Sequence, residues 1–420
     1  MNKAHRPLHL VHLGVSGFPY GFGAIQRILL LCKALQHGGA EVTVINRKSI
    51  HAPSSSKSLQ VSGEHEGVPY RYTCPQPQRE DGFLQRNLNK VRGFLGEIAL
   101  LRRMKREGRL DGAMLYLTGQ FGELLYYRLL TWALGIPMVM SYVEYRSSFP
   151  DRSNPFIRLN DWLFDRYCGR LNDAVLPISE YLAEVLRHRA PRTPQIKIPV
   201  ICDFERFAVE KSLGIAPYFQ YVGAASYREL VLFVLQAFER VADAGSIFLD
   251  FVLGGKKSEL EAIYAYVDTL YYRDQVRIVS NVTDEEIPRR LANAVALLIP
   301  LRPSLQDEAR FPHKIGEYSA SGRPLITTAF GEVKNYFRDG DNALVAAEYE
   351  VAQFAEKMRF ALEHPEETEA IAARSYEMGL REFNYKTYGA PLVQLFRRLR
   401  GEKTTDSPEP AAPAAAAAHL

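Results

Sequence analysis

Short apolar runs, several ending in glycine, alternate along the chain with segments whose apolar residues recur at helical spacing. Residues 8–13 form the first run, the loop 14–23 follows, and Ile25, Ile28, Leu29, Cys32 and Leu35 then mark one face of a helix. Gly38 and Gly39 stop that helix, and residues 41–45 start the next strand. This succession predicts a βαβ unit of a parallel, doubly wound sheet. Further strands are predicted at 113–118, 138–143 and 174–179, and helices at 122–133 and 161–170, before a domain end near Ile198, Pro199 and Val200.

The alternation then restarts. Residues 219–223 predict a strand ending in glycine, 230–241 a helix and 248–254 a strand. Residues 276–279 and 294–300 predict two more, the second so uniformly apolar that it belongs in a buried parallel sheet. Two α/β domains in series also fit the length, since 420 residues exceed what one core usually supports. Open parallel sheets bind ligands beyond the carboxyl ends of their strands, so the loops of both domains are expected to face a cleft. No repeat of solenoid length is present.

Hydrophobic content of 47% and charged content of 24% are those of an ordinary globular chain. The four cysteines, at 32, 74, 168 and 202, are scattered and form no C-x-x-C pair, which points to a reducing compartment without disulfides or a zinc site. The apolar run after the basic residues 1–6 is interrupted by His9 and His12, so it reads as a strand and not a signal peptide. The longest apolar segment, 124–143, contains Arg128 and the Gly135-Ile136-Pro137 turn, so no membrane span is expected. Residues 401–420, rich in Pro and Ala, read as a disordered tail.

A net charge of +4 is nearly balanced, but its distribution is not. Between 84 and 109 eight Lys and Arg residues stand against Glu97 and Glu107, and Phe83, Leu84, Leu88, Val91, Phe94, Leu95, Ile98 and Leu101 recur near helical spacing. Such a helix either lies on an anionic bilayer surface or packs its stripe on its own domain. Nucleic acid is a poorer partner, because no binding motif accompanies the charge.

The most distinctive stretch runs from Phe311 and Pro312 through Lys314, Glu317, Tyr318 and Ser321 to Gly322 and Pro324. Pro312 suits a first helical turn and Gly322 with Pro324 a helix stop, predicting about three turns with Lys314, Glu317 and Ser321 on one face. Taken alone, that is an exposed helix with an i,i+3 ion pair. The run resembles the donor-nucleotide motif of the family 4 glycosyltransferases, P-x-K-x-x-E-Y-x-A-x-G-x-P, with Gly331-Glu332 and Asp339-Gly340-Asp341-Asn342 following in the family's order. The resemblance covers roughly residues 8–398 and implies the GT-B fold. Its parts would be an N-terminal Rossmann-like acceptor domain (1–200), a C-terminal nucleotide-sugar domain (201–380) and a crossover helix (381–400) packing back on the first.

It further implies a retaining, metal-independent hexosyltransferase that takes a UDP- or GDP-linked sugar as substrate and needs no cofactor. The acceptor would be a glycan or lipid-linked acceptor in bacterial surface polysaccharide or glycoconjugate synthesis, reached from the cytoplasmic side, peripherally on the inner membrane. Glu317 would accept hydrogen bonds from the donor ribose, with Lys314 near the phosphates. Phe311, Pro312 and Gly331 belong to the same nucleotide-sugar site, and Gly21 and Gly23 to the glycine loop after the first strand.

Three positions depart from the family pattern. Ala224 follows Gly223 where a basic residue is usual, and Glu229 stands where alignment places a Lys, leaving Arg228 as the substitute. Ala309 replaces a sugar-contacting Glu, with Glu308 adjacent. Glu144 follows the strand that usually leads to a His; it could orient the acceptor or pair with Arg146. A dinucleotide fingerprint is not completed, since Gln26 replaces its third glycine, and NAD is disfavoured. Asp339-Gly340-Asp341 spells a metal motif but reads as a turn, and no catalytic metal is expected. The competing readings are a non-catalytic GT-B scaffold that binds a nucleotide sugar or a partner protein, and, third, a nucleotide-sugar epimerase.

Overall fold

A computed structural model describes residues 6–21, 23–50, 59–149, 152–212, 214, 216–242, 247–280 and 282–402. The tail from 403 and Phe22 of the glycine loop lie outside them. The chain divides into two compact units, one built from residues up to Pro199 together with those from Tyr385 onward, the other from Val200 to Asn384.

In the first unit β1 (His9–Val15), α1 (Gly23–His37) and β2 (Glu41–Asn46) form the predicted βαβ unit. A hairpin of β3 (Ser62–His65) and β4 (Val68–Tyr72) then extends the sheet edge. Next come α2 (Phe83–Arg106), β5 (Gly112–Tyr116), α3 (Phe121–Leu134), β6 (Met138–Tyr142), α4 (Pro155–Tyr167), β7 (Ala174–Pro177) and α5 (Glu180–Arg189). The seven strands lie in the order β3-β4-β2-β1-β5-β6-β7, all pairs parallel except β3 with β4. Chain direction across the sheet reverses at β1, so the crevice between the carboxyl ends of β1 and β5 is its topological switch point.

The second unit contains β8 (Tyr218–Ala224), α6 (Arg228–Glu239), β9 (Phe248–Gly254), α7 (Lys257–Val267), β10 (Val276–Val279), α8 (Glu286–Asn293) and β11 (Ala296–Ile299). There follow α9 (Leu305–Ala309), α10 (Lys314–Ala320), β12 (Leu325–Thr328), β13 (Leu344–Ala346), α11 (Val351–Glu363) and α12 (Pro365–Glu382). Its six strands are all parallel, in the order β10-β9-β8-β11-β12-β13, with the switch point between β8 and β11. As the apolar run predicted, every residue of β11 is buried.

The last helix, α13 (Gly389–Leu399), belongs to the first unit and lies against α1. Two glycines permit the approach: a Cβ on Gly389 would stand 2.5 Å from the Ala34 carbonyl oxygen, and one on Gly38 2.4 Å from that of Gly389. On its other side α1 sends the fully buried Arg27 to the Ile198 and Pro199 carbonyls at 2.8 and 2.7 Å and to Ser141 Oγ at 3.1 Å. Burial lowers the Arg27 pKa to about 10, which still leaves it charged at neutral pH. These charge-assisted bonds fix where the chain leaves the first unit.

Candidate functional site

The distinctive motif begins at the carboxyl end of β11. Ser304 caps α9 by accepting from Asp307 N at 3.2 Å. Asp307, fully buried, is held by Arg302 N at 2.9 Å and Nε at 3.2 Å and by Arg310 at 2.5 Å. Gly331 takes φ +61° where a Cβ would stand 2.6 Å from the Asp307 carbonyl oxygen, so the loop that follows β12 closes tightly over α9. Phe311 is buried, stacked on Tyr336 at 5.5 Å and edge-on to Phe383. Its ring therefore packs the motif in place.

The motif helix is shorter than predicted. Residues 312–316 close with i→i+3 bonds, Ile315 N to Pro312 O and Gly316 N to His313 O, so α10 proper covers only Lys314–Ala320. Ile315, Gly316, Tyr318, Ser319 and Ala320 are buried, which leaves Lys314 and Glu317 as the side chains of α10 not taken up by packing. They form an ion pair at 2.8 Å. The helix is thus anchored, and not the exposed one that the pair alone would suggest. Its main anchor is Tyr318, whose buried hydroxyl accepts from Val222 N at 3.0 Å on β8, one residue before Gly223.

The switch point of this unit gathers two further arginines, each tied to a carboxylate. Arg228 opens α6, exposed and without an ion pair among the described residues. Glu229 is bound by Arg302 at 3.1 Å, and Arg310 donates to the Tyr227 hydroxyl at 2.9 Å while lying over its ring. Arg302 and Arg310 were missed; two arginines bracketing the buried Asp307 just ahead of the motif were the available signal. Glu308 is half-buried, with no ion pair among the described residues. Asp339-Gly340-Asp341 is a turn: Asp339 accepts from Val345 N at 2.8 Å, Gly340 takes φ +70°, and Asn342 accepts from Arg338 N at 2.8 Å.

In the first unit Gly21 is exposed and a Cβ there would stand 2.6 Å from the Ile25 side chain. Gly23 opens α1. Glu144, just beyond β6, pairs with Arg146 at 2.6 Å, and the Arg146 guanidinium lies against Gly119, where a Cβ would be 2.3 Å from its Nε. The loop is held by buried Asp165, which accepts from Ser147 N and Oγ, each at 2.7 Å, and from Tyr142 Oη at 2.9 Å. Burial raises the Asp165 pKa against these hydrogen bonds. A cavity of about 720 Å³ opens here, lined by Gly119, Arg146, Arg152, Phe156, Ile157 and Asn160 among others. A second, of about 370 Å³, is lined by Lys48, Arg79, Arg86 and Lys90 with Glu80 and Asn89.

Two Rossmann-like units with these motifs define the GT-B class of glycosyltransferases. The family comparison agrees in both halves: a glycosyl transferase 4-like domain matches residues 22–201, and glycosyl transferases group 1 matches residues 205–378. The chain belongs to the group 1 glycosyl transferases. No curated protein matches its sequence. Among solved structures it is similar to sucrose-phosphate synthase from Thermosynechococcus elongatus, at 16% identity and TM-score 0.72 over 94% of this chain and 100% of that one. Anabaena HepE in complex with UDP and glucose gives 14%, 0.65, 92% and 98%. The E. coli structure described as trehalose-6-phosphate bound with UDP-2-fluoro glucose gives 11%, 0.62, 93% and 98%. At these identities the likeness is one of fold.

Proposed function

We propose that this glycosyltransferase moves a hexose, with retention at the anomeric carbon and without a catalytic metal, from a nucleotide-diphosphate donor to a glycan or lipid-linked acceptor. The acceptor chemistry fits bacterial surface polysaccharide synthesis at the cytoplasmic face of the inner membrane, with residues 84–109 against the anionic lipid. The observation that carries the reading is α10, a helix whose side chains are all buried except one cation and one carboxylate. Glu317 accepts from the ribose hydroxyls, and Lys314 with Arg228 neutralises the leaving diphosphate as the anomeric C–O bond breaks. Arg302 and Arg310, paired with Glu229 and Asp307, hold the loop ahead of α10. Gly223, Glu308, Phe311, Pro312 and Gly331 shape the nucleotide-sugar pocket, the loop at Gly21 and Gly23 approaches the diphosphate or the acceptor, and Glu144 orients the acceptor. Neighbours solved with UDP or UDP-2-fluoro glucose favour UDP over GDP.

The Glu229–Arg302 pair, at a position where the family places a cation, favours a second reading: a scaffold that binds a nucleotide sugar without turning it over. One experiment separates the two. Nucleoside diphosphate release is measured across UDP- and GDP-sugars with a mixed glycan and polyprenyl phosphate acceptor pool. The transferase reading expects release by the wild-type chain and at least a tenfold loss with Glu317→Ala. Binding without release leaves the scaffold, and neither binding nor release refutes both.

A further inference from the structure

We infer that α2, α3 and α4 together form a docking face for an anionic bilayer, with both tryptophans of the chain placed among the lipid headgroups. The inference rests on the proposed membrane acceptor for its purpose, but on separate observations for its chemistry. The connections β4→β5, β5→β6 and β6→β7 all cross the sheet in the same direction, so right-handed crossovers put α2, α3 and α4 on one sheet face. They touch in sequence. Phe94 of α2 meets Tyr126 of α3 edge-on at 5.0 Å, and Phe121 N of α3 donates to Asn160 Oδ1 of α4 at 3.0 Å.

This layer is oriented unlike an ordinary amphipathic layer. The side of α2 turned to the domain carries Asn89, Gly93, Glu97 and Leu101. Close approach requires small residues there: a Cβ on Gly93 would lie 2.2 Å from the Arg47 carbonyl oxygen and one on Gly96 2.6 Å from that of Thr73. Glu97, completely buried, accepts from the Tyr126 and Tyr127 hydroxyls at 2.8 and 3.2 Å. The apolar residues Leu84, Leu88, Val91 and Leu95, at i, i+4, i+7 and i+11, therefore form one narrow stripe on the opposite side, and all four are exposed. Arg102 and Arg106 continue the same stripe toward the helix end.

The two neighbouring helices repeat the arrangement. On α3 the exposed stripe is Leu125, Leu129 and Trp132, the last 74% exposed. The opening turns of α4 expose Phe156 and Leu159, and Trp162 is 52% exposed. Exposed apolar area on this scale marks an interaction surface. The charges identify its partner. The carboxylates of the three helices all turn inward: Glu97, Asp161 and Asp165 are buried, and Glu123 is bound by Arg47 and Lys48. Lys90, Arg92, Arg102, Arg106 and Arg158 are exposed.

Outward cations, aromatic rings and leucines, with Glu107 at the α2 cap exposed but paired with Arg103, are complementary to a negative headgroup layer above hydrocarbon. A second copy of the chain is the weaker occupant, since a two-fold interface would set these cations against their own image. Among the described residues no helix is long and apolar enough to cross a membrane, so the contact is one of lying on the surface.

Because the chain has only two tryptophans, at 132 and 162, its own fluorescence reads the contact. The full chain is titrated with vesicles of phosphatidylcholine and phosphatidylglycerol, and with phosphatidylcholine alone. Emission should shift to the blue only with the anionic vesicles. Brominated acyl chains should quench both Trp132→Phe and Trp162→Phe, each reporting the tryptophan that remains. Arg102→Glu with Arg106→Glu should weaken the apparent affinity about twenty-five-fold or more, at a cationic contribution of roughly fivefold per residue. Leu84→Gln with Leu88→Gln should remove quenching even where the chain still sediments with vesicles at low salt.

No shift with anionic vesicles overturns the inference, as does quenching of one tryptophan but not the other. A lipid-free shift that follows formation of a dimer assigns the face to a second copy, and also overturns it. Circular dichroism shows whether each variant is folded. UDP-sugar turnover by the same preparations keeps this test apart from that of the transferase reading.

Discussion

The buried carboxyl that ties α2 to its domain should make the first unit less stable as pH rises. Glu97 lies beneath α2 with Arg47 3.9 Å away and two tyrosine hydroxyls bound to it. Its burial outweighs these partners and pushes its pKa from 4.5 up to about 7. Unfolded, the group gives up its proton near its ordinary value; folded, it holds the proton to about 7. Across that interval the native state binds more protons, so its stability falls as pH rises. At about 1.4 kcal/mol per decade the full loss is roughly 3 kcal/mol, present below pH 4.5 and gone above pH 7.

His12 runs the other way, because burial lowers its pKa to about 3 and stability rises as pH climbs toward the ordinary value of 6.5. Subtracting Glu97→Gln from wild type cancels that background. Urea unfolding followed by tryptophan emission reports the first unit alone, since both tryptophans belong to it. The stability of the wild type relative to Glu97→Gln should fall by about 3 kcal/mol from pH 4.5 to pH 8, or roughly 1 M in urea midpoint. A difference that stays constant over this range would mean that Glu97 is ionised in the native state, and the reasoning would fail.

Other substitutions test the packing directly. Gly93→Ala would gain about 1 kcal/mol on an open helix, but here its Cβ meets a backbone carbonyl; the expected outcome is a loss of about 1–3 kcal/mol, and a raised melting temperature would contradict the close approach. Gly389→Ala should push α13 off α1, seen as faster amide exchange in 389–399 with the second unit unchanged; unaltered exchange would show that the helices have room. Exchanging Tyr318 for Phe leaves Val222 N without its acceptor and should cost the second unit about 1–3 kcal/mol, measured by chemical denaturation; no change would remove that anchor from the account of α10.

Much of this protein was legible in its order of residues. The alternation of apolar runs with helical periods, restarting after residue 200, specified two α/β units, because strand and helix periods are local and the parallel arrangement follows from the lengths of their connections. Spacing alone set Lys314 and Glu317 on one helical face. Other features were hidden for physical reasons. β3 is polar and short, and β4 turns only Val68, Tyr70 and Tyr72 inward around Pro69; pairing with β2 and with each other makes them strands. Asn154 and Pro155 start α4 earlier than expected, since the cap bond from Phe156 N outweighs the weak period that follows. Arg302 and Arg310 stand close to the motif in the sequence, but that both turn onto a buried Asp307 was decided by the fold.

The case of α2 shows most clearly where sequence stops. Its composition established a basic, amphipathic helix, yet periodicity does not tell which face of a helix looks inward when both carry a motive for burial. The close contacts at Gly93 and Gly96 and the hydrogen bonds to Glu97 decided that, and they depend on Arg47, Thr73, Tyr126 and Tyr127, residues remote in sequence. The sequence by itself determined most of the elements, their order and the family; tertiary contact decided the edge hairpin and which side chains remain free to bind anything, because burial belongs to the folded neighbourhood and not to a residue.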